Sequence, residues 1–73
     1  MREVAISTET IELEALLKWA GLARTGGEAK RRIQEGEIRV NGAPEHRRGR
    51  LLRPGDEVTA ADGGTLVVVR PKS

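Results

Sequence analysis

The sequence predicts an α+β fold in which two packed helices lie against a small antiparallel sheet, in the order β-α-α-β-β-β-β. Two stretches carry apolar residues at helical spacing, and each of them ends at a glycine. The chain beyond them alternates polar and apolar residues between turns rich in glycine and proline. With 73 residues and no cysteine, the chain has room for one domain, residues 1–73, whose small core no disulfide braces.

The N-terminal third predicts the first strand and the first helix. Val4 and Ile6 are apolar at alternate positions of residues 3–7, which is typical of a strand, and we expect this strand to pair with the last one. Between residues 11 and 20, apolar side chains recur on one face of a helix; they are Leu13, Leu16, Leu17 and Ala20. Gly21 is expected to end this helix.

The second helix is predicted to begin after Thr25 and to end at Gly36. Thr25 and Glu28 have the spacing of a capping box, in which the threonine oxygen accepts a hydrogen bond from the Glu28 N–H and the carboxylate reaches back. Ala29 and Ile33 form the buried face. The helix is therefore free to present its other side to solvent or to a ligand.

Turn signals divide the rest of the chain into two hairpins. Asn41-Gly42 follows the alternating residues 37–40 and predicts a type I′ turn. Residues 53–56, Arg-Pro-Gly-Asp, have the pattern of a type II turn. Residues 57–60 and 65–69 are then expected to be two paired strands.

The positive charge of the chain is concentrated in its middle third. The formal net charge is only +2, yet residues 21–53 hold nine basic and four acidic side chains, a net charge of +5. A polyanion responds to such a local positive field rather than to the total charge. A solvated basic face that aids solubility explains the same distribution, so charge alone leaves both interpretations open.

The composition disfavours several classes of function. No apolar run approaches the roughly 20 residues of a membrane helix, so we expect no membrane association, and the lack of cysteine and of a signal segment favours the cytoplasm. No nucleophile has a partner base and His46 is the only histidine, so we expect no catalytic residues, no metal and no cofactor. The only aromatic residue, Trp19, lies at the flank of the first helix's apolar face and is interpreted as a core-edge residue.

From Leu13 to Gly42 the sequence resembles the S4-like RNA-binding domain, whose fold is called the αL motif. The matching residues are Leu16-Leu17, Gly21-Leu22-Ala23, Thr25, Ala29, Ile33, Gly36 and Ile38-Arg39-Val40-Asn41-Gly42, with Gly55-Asp56 at the terminal turn. The segment 47–51 and the Gly26-Gly27 helix start are similar to small, stand-alone bacterial members of the family. The resemblance covers residues 10–70, with the motif core at residues 10–60.

This resemblance implies a non-catalytic protein that binds structured RNA, either ribosomal RNA or tRNA, and that associates with the ribosome; we expect a monomer. In such domains the second helix and the following hairpin form the binding face. The matching positions here are Arg24, Thr25, Lys30, Arg31, Arg39 and Asn41. Proteins recognise A-form RNA mainly through phosphates and 2′-hydroxyls, a task that needs fixed cations rather than aromatic platforms.

Three arginines of an irregular loop extend this candidate surface: Arg47, Arg48 and Arg50. Three close like charges repel one another and a polyanion would neutralise them, so we interpret this loop as an RNA contact. The planar guanidinium suits the role because it can hold one phosphate through two hydrogen bonds.

Several of these positions have a structural alternative. Arg31 and Glu35 have the spacing of a helical ion pair, as do Glu28 and Arg32, and we interpret Arg32 as the solvated partner of Glu28. Asn41 is interpreted first as a turn residue. Gly26-Gly27 would allow close approach of a phosphate, or would simply form a tight turn between the helices.

An alternative function is a protein-interaction module that docks on a ribosome-associated or RNA-processing partner. Trp19 and an edge strand near Pro44 would form its contact surface. Binding that survives complete RNA digestion would favour this alternative.

Overall fold

Nine short elements follow one another between residues 2 and 70, which are the residues that the computed structural model describes. The helices are α1 (Leu13–Trp19) and α2 (Gly26–Gln34). The strands are β1 (Arg2–Ala5), β2 (Ile11–Glu12), β3 (Ile38–Val40), β4 (Ala43–Pro44), β5 (Leu51–Leu52), β6 (Glu57–Ala60) and β7 (Thr65–Val69). Neither helix of this range is long and apolar enough to cross a membrane.

Five strands form one sheet in the order β1-β7-β6-β3-β4, in which β1 runs parallel to β7 and pairs Val4 with Val68. The predicted α+β class and the pairing of the first strand with the last are confirmed, but the sheet is mixed rather than wholly antiparallel. Tight turns make consecutive strands antiparallel. The chain between β1 and β7 is long enough to permit either direction, so local signals do not fix it.

The first helix begins two residues later than its apolar pattern predicts. Ile11 and Glu12 instead form β2, which pairs with β5 in a separate two-stranded ladder. The N–H groups of Leu13 and Glu14 donate to the carbonyl oxygens of Arg50 and Arg48 at 2.8 and 3.0 Å. The loop before β5 thus accepts hydrogen bonds from helix N–H groups that lack a partner within the helix.

The two predicted turns at residues 41–42 and 53–56 are both present. Asn41 and Gly42 have φ values of +51° and +86°, as a type I′ turn requires, and Gly55 has a φ of +102° at the third position of the 53–56 turn. The predicted strands 57–60 and 65–69 are confirmed with the same bounds as β6 and β7. β4 lies at the edge of the sheet, where Pro44 needs no N–H partner.

The hydrophobic core lies between the two helices and one face of the sheet. The predicted helix faces are confirmed, since Leu13, Leu16, Leu17, Ala20, Ala29 and Ile33 are all buried. From the sheet come alternate residues of the strands: Val4, Ile38, Val40, Val58, Ala60, Leu66 and Val68. The residues between them, including Arg39 of β3, point to the opposite face of the sheet.

Arg32 is buried, and the prediction that it pairs with Glu28 at the surface is wrong. Its guanidinium donates three hydrogen bonds: to Leu22 O at 2.7 Å, to Glu37 Oε1 at 3.1 Å and to Asp62 Oδ1 at 3.0 Å. Only 7% of the residue is exposed. Arg32 therefore links α2 to the chain on either side of it and to the β6–β7 turn.

Trp19 is 72% exposed, so its interpretation as a core-edge residue is wrong. The helix α1 ends at this residue, and the next residue, Ala20, is the one buried on the apolar face. Trp19 instead lines a surface groove with the apolar side chains of Ala5, Ile6 and Ile11.

Candidate nucleic-acid interface

The N-terminus of α2 is capped as the sequence predicts. Thr25 Oγ1 accepts a hydrogen bond from the Glu28 N–H at 3.1 Å. The Glu28 carboxylate reaches back to the Arg24 N–H at 3.4 Å. These two bonds fix the backbone at Arg24 and Thr25, and both side chains remain exposed to solvent.

Gly26 favours the interpretation of a tight turn between the helices. A Cβ atom at Gly26 would lie 2.8 Å from Glu14 Oε1, so a larger residue here would have to displace that flexible carboxylate. The Glu14 carboxylate beside the start of α2 interacts favourably with the positive end of the helix dipole. It would repel a phosphate at the same place, which makes this helix end a poor anion site despite its glycines.

The outer side of α2 carries the exposed side chains of Lys30, Arg31 and Gln34. Arg31 forms the predicted ion pair with Glu35 at 3.3 Å. Both partners are more than half exposed, and such pairs stabilise a helix by only about 0.3–0.5 kcal/mol. Arg31 can therefore exchange this partner at little cost, and Lys30 forms no ion pair within the described residues.

Arg39 and Asn41 lie on the β3–β4 hairpin but differ in what they can contact. The Arg39 guanidinium is exposed and donates one bond, to Gly42 O at 3.3 Å. The Asn41 amide is engaged at both ends: Nδ2 donates to Asp56 Oδ1 at 3.1 Å, and Oδ1 accepts from the Glu57 N–H at 2.9 Å. Asn41 thus ties this hairpin to the next turn, in agreement with its interpretation as a turn residue.

The arginine loop, residues 47–50, is organised around the buried carboxylate of Glu45. Arg47 donates to it from its backbone N–H, Nε and a terminal nitrogen at 3.1, 3.1 and 3.4 Å, and Arg50 donates at 2.7 Å. These hydrogen bonds hold the pKa of Glu45 at about 2, well below its ordinary value. The expectation of three mutually repelling charges is therefore wrong for Arg47 and Arg50, which share an internal counter-ion.

Arg48 is the exposed arginine of this loop, and it forms no ion pair with any described residue. Its carbonyl oxygen is held by the Glu14 N–H, so the backbone that carries it is fixed. Reasoning from the sequence missed Glu45 as the organiser of the loop. An acidic residue two positions before the arginines was the signal available.

Contacts between these elements bring part of the candidate surface together. Glu14 joins the arginine loop to the start of α2, near Arg24 and Thr25, and the Glu45 N–H donates to Ile38 O of β3 at 3.0 Å. Arg39 is not part of this grouping, because its side chain points to the sheet face opposite the helices. Residues 2–70 include no group of three or more histidine or acidic side chains that could hold a metal ion.

The role of Asn41 can be tested by stability. We expect Asn41→Ala to lower the free energy of unfolding by about 1–2 kcal/mol, because alanine loses both side-chain bonds and disfavours a positive φ. Asn41→Gly should lose less, since glycine tolerates this backbone. Urea unfolding measures the free energy of unfolding of both variants. An Asn41→Gly variant that is as stable as the wild type but binds RNA more weakly would instead identify Asn41 as a ligand contact.

Comparison with known proteins agrees with this architecture. The family model of the S4 domain matches residues 4–69, which include all the elements from β2 to β7. The probable ribosome maturation protein RlbA of Bacillus subtilis (strain 168) is 42% identical over 66 residues, which cover 90% of this chain and 93% of that protein. A family match over nearly the whole chain and a relative of almost the same extent lead to one conclusion: the chain belongs to the S4 domain family.

Proposed function

We propose that this protein is a non-catalytic RNA-binding protein that recognises structured ribosomal RNA during ribosome maturation. The name of the Bacillus relative and the RNA binding implied by the S4 resemblance support this proposal. We further propose that the protein acts as a monomer in the cytoplasm and that residues 1–73 form one domain. tRNA is the competing RNA ligand.

The observation that carries the proposal is the arginine loop held in place by Glu45. Four hydrogen bonds from Arg47 and Arg50 converge on one carboxylate, and two backbone bonds join the loop to α1. A side chain that is already ordered loses less conformational entropy on binding. This loop therefore presents the ordered guanidinium groups of Arg47 and Arg50 to phosphates, and it holds the backbone of the exposed Arg48 beside them.

The remaining candidates extend the contact on α2. Arg24 and Lys30 are exposed and form no ion pair among the described residues, and Arg31 can be released from Glu35. No aromatic side chain belongs to this basic surface, so recognition rests on phosphates, 2′-hydroxyls and shape. Such binding releases counterions and weakens steeply with salt.

The test compares two exposed lysines on different helices and one arginine. Lys30→Gln/Arg48→Gln should weaken binding to a structured ribosomal RNA fragment about tenfold and lower the salt slope by about 2, because two phosphate contacts are lost. Lys18→Gln, which removes one positive charge from α1, should change the affinity less than about twofold, because diffuse charge alone contributes little. Fluorescence anisotropy between 50 and 200 mM salt measures both values, with tRNA as competitor.

Two results would reject the proposal. Affinity for RNA that stays flat across this salt range would mean that phosphates are not contacted. An equal loss in Lys18→Gln and in the double variant would mean that the α2 and arginine-loop surface has no special part. Preference for tRNA over the ribosomal fragment would keep RNA binding but replace the ligand.

The exposed Trp19 favours a second candidate function, a protein-interaction module. Trp19 lines a groove of about 340 Å³ with Ala5, Ile6 and Ile11, which an apolar segment of a ribosome-associated or RNA-processing protein could fill. The edge strand β4 lies free of a further strand in the described sheet. Association with ribosomal particles that survives complete RNA digestion, and that Trp19→Ala abolishes, would establish this function in place of RNA binding.

A further inference from the structure

A basic cleft lies outside the surface that the family resemblance implies. It has a volume of about 460 Å³ and is lined by Glu9, Thr10, Arg53, Pro54 and Arg70. Both arginines are exposed, and neither forms an ion pair with an acidic side chain within residues 2–70. Glu9 is the single carboxylate of the lining, so the cleft carries a net positive charge.

The backbone explains why two arginines 17 positions apart in sequence share this cleft. The 53–56 turn is joined to β7 by two hydrogen bonds, from the Gly55 N–H to Val68 O at 2.7 Å and from the Val68 N–H to Asp56 O at 3.0 Å. Asp56 Oδ2 also accepts the Arg53 N–H at 2.8 Å. Arg70 follows the end of β7 two residues after Val68, so the turn and the strand end are fixed side by side.

The cleft is continuous with the arginine loop. Only β5 separates Arg50 from Arg53 in the chain. The hydrogen bond from the Arg53 N–H to Asp56 Oδ2 lowers the pKa of Asp56, and the positive charges of Arg50 and Arg53 add to this effect. A basic band therefore runs from the arginine loop, past Asp56, to Arg70.

We propose that this cleft binds a phosphate of the RNA backbone between the guanidinium groups of Arg53 and Arg70, as an additional contact for the same RNA that the arginine loop holds. Arginine suits this role because its planar fork can donate two hydrogen bonds to one phosphate, and the Thr10 hydroxyl adds a further donor. The inference rests on the proposed function.

The openness of the cleft indicates a phosphate within a polymer rather than a small free anion. Both arginines are exposed, and a small ion would gain only contacts that water and salt screen. A phosphate of an RNA already bound at the arginine loop arrives at a high effective concentration, so even weak contacts add to the affinity.

Two double variants test the inference with the full chain and a structured ribosomal RNA fragment. Arg53→Gln/Arg70→Gln should weaken binding about fivefold and lower the salt slope by about 1, because one phosphate contact is lost. Arg53→Lys/Arg70→Lys keeps the charge but loses the fork, so it should recover only part of the affinity. Thermal unfolding checks that both variants are folded; we expect midpoints close to that of the wild type, since neither change removes a backbone hydrogen bond of the turn.

Phosphate ethylation interference on the RNA gives the direct measurement. We expect one phosphate whose ethylation weakens binding of the wild type but not of Arg53→Gln/Arg70→Gln. If the wild type binds the RNA with a normal salt slope and the glutamine variant is unchanged, this inference fails and the proposed function stands. If the wild type binds no structured RNA, the proposed function fails and this inference falls with it.

Discussion

Replacing Arg32 by glutamine is expected to lower the free energy of unfolding by about 2–4 kcal/mol. The variant loses all three guanidinium contacts, and the carbonyl oxygen of Leu22 loses the Arg32 bond of 2.7 Å. Glu37 loses its nearest cation while two-thirds buried, whereas Asp62 is 68% exposed and returns to water. The loss should therefore fall short of that for a fully buried ion pair.

This loss is large for so small a protein. A chain of 73 residues has roughly 4–11 kcal/mol of stability in total, at the usual 0.05–0.15 kcal/mol per residue. Arg32→Gln should therefore shift the urea midpoint well below that of the wild type, and at 37 °C a measurable fraction should be unfolded. Lysine at this position keeps the charge but cannot reach three acceptors at once, so Arg32→Lys should recover only part of the loss.

The neighbouring arginine provides the matched control. Arg31 lies on the same helix and has one exposed partner, Glu35. Arg31→Gln should change the free energy of unfolding by less than about 0.5 kcal/mol, since exposed helical pairs contribute no more than that. Equal losses in the two variants would show that the buried network around Arg32 adds nothing to stability.

The contrast between these two arginines shows how far the sequence predicts this structure. Arg31 finds its partner four residues away on the same helix, where periodicity places it. Arg32 pairs with Asp62, which is thirty residues away in the sequence and lies in the β6–β7 turn, so the two residues meet only in the folded chain. A local pattern cannot identify such a partner, and the i, i+4 rule suggested Glu28 instead.

The elements themselves were predictable where one local signal dominates. Helix α2, the Asn41-Gly42 turn and strands β6 and β7 follow from capping, positive φ and alternation. The start of α1 was not predictable in this way, because Ile11 and Glu12 pair with β5, some forty residues further along the chain. The direction of β1 relative to β7 was not predictable either, since the long connection between them allows both directions.

The candidate site shows the same division. Exposure of Lys30 and Arg39 follows from helical and strand periodicity, and both side chains are exposed as expected. The net charge of a loop does not show which of its cations are already paired. The Glu45 carboxylate pairs with Arg47 and Arg50 and so neutralises part of the charge of the arginine loop. Only its burial in the folded chain distinguishes it from the acidic residues at the surface.

Glu45→Gln is expected to lower the free energy of unfolding at pH 7 by about 2 kcal/mol, the value of hydrogen bonds to a charged acceptor after screening by water at exposed Arg47. Glutamine matches the size of glutamate, but its amide nitrogen faces a guanidinium donor. The backbone bond from the Arg47 N–H and the bond from Arg50 are both weakened. Urea unfolding of the two proteins gives the difference.

The pH dependence of this difference identifies its cause. The folded state holds the pKa of Glu45 at about 2, below the ordinary value of 4.5. A depressed carboxyl pKa contributes stability that is complete above the unfolded value and is lost as the pH falls from about 4.5 towards 2. The gap in the free energy of unfolding between wild type and Glu45→Gln should close over this range, because the Glu45 carboxyl group becomes protonated there. A gap that is constant with pH would mean that the charge of Glu45 is not its source.

The same variant separates two explanations for binding by the arginine loop. Glu45→Gln removes a negative charge from the candidate surface, so recognition by net charge alone predicts tighter binding to RNA. Recognition by a preorganised loop predicts weaker binding, because Arg47 and Arg50 lose the carboxylate that orders them and must be ordered by the RNA instead. We expect the affinity at 150 mM salt to fall, with the salt slope unchanged or steeper. A rise in affinity would show that Glu45 competes with phosphate for these arginines, and that the loop gains nothing from being fixed in advance.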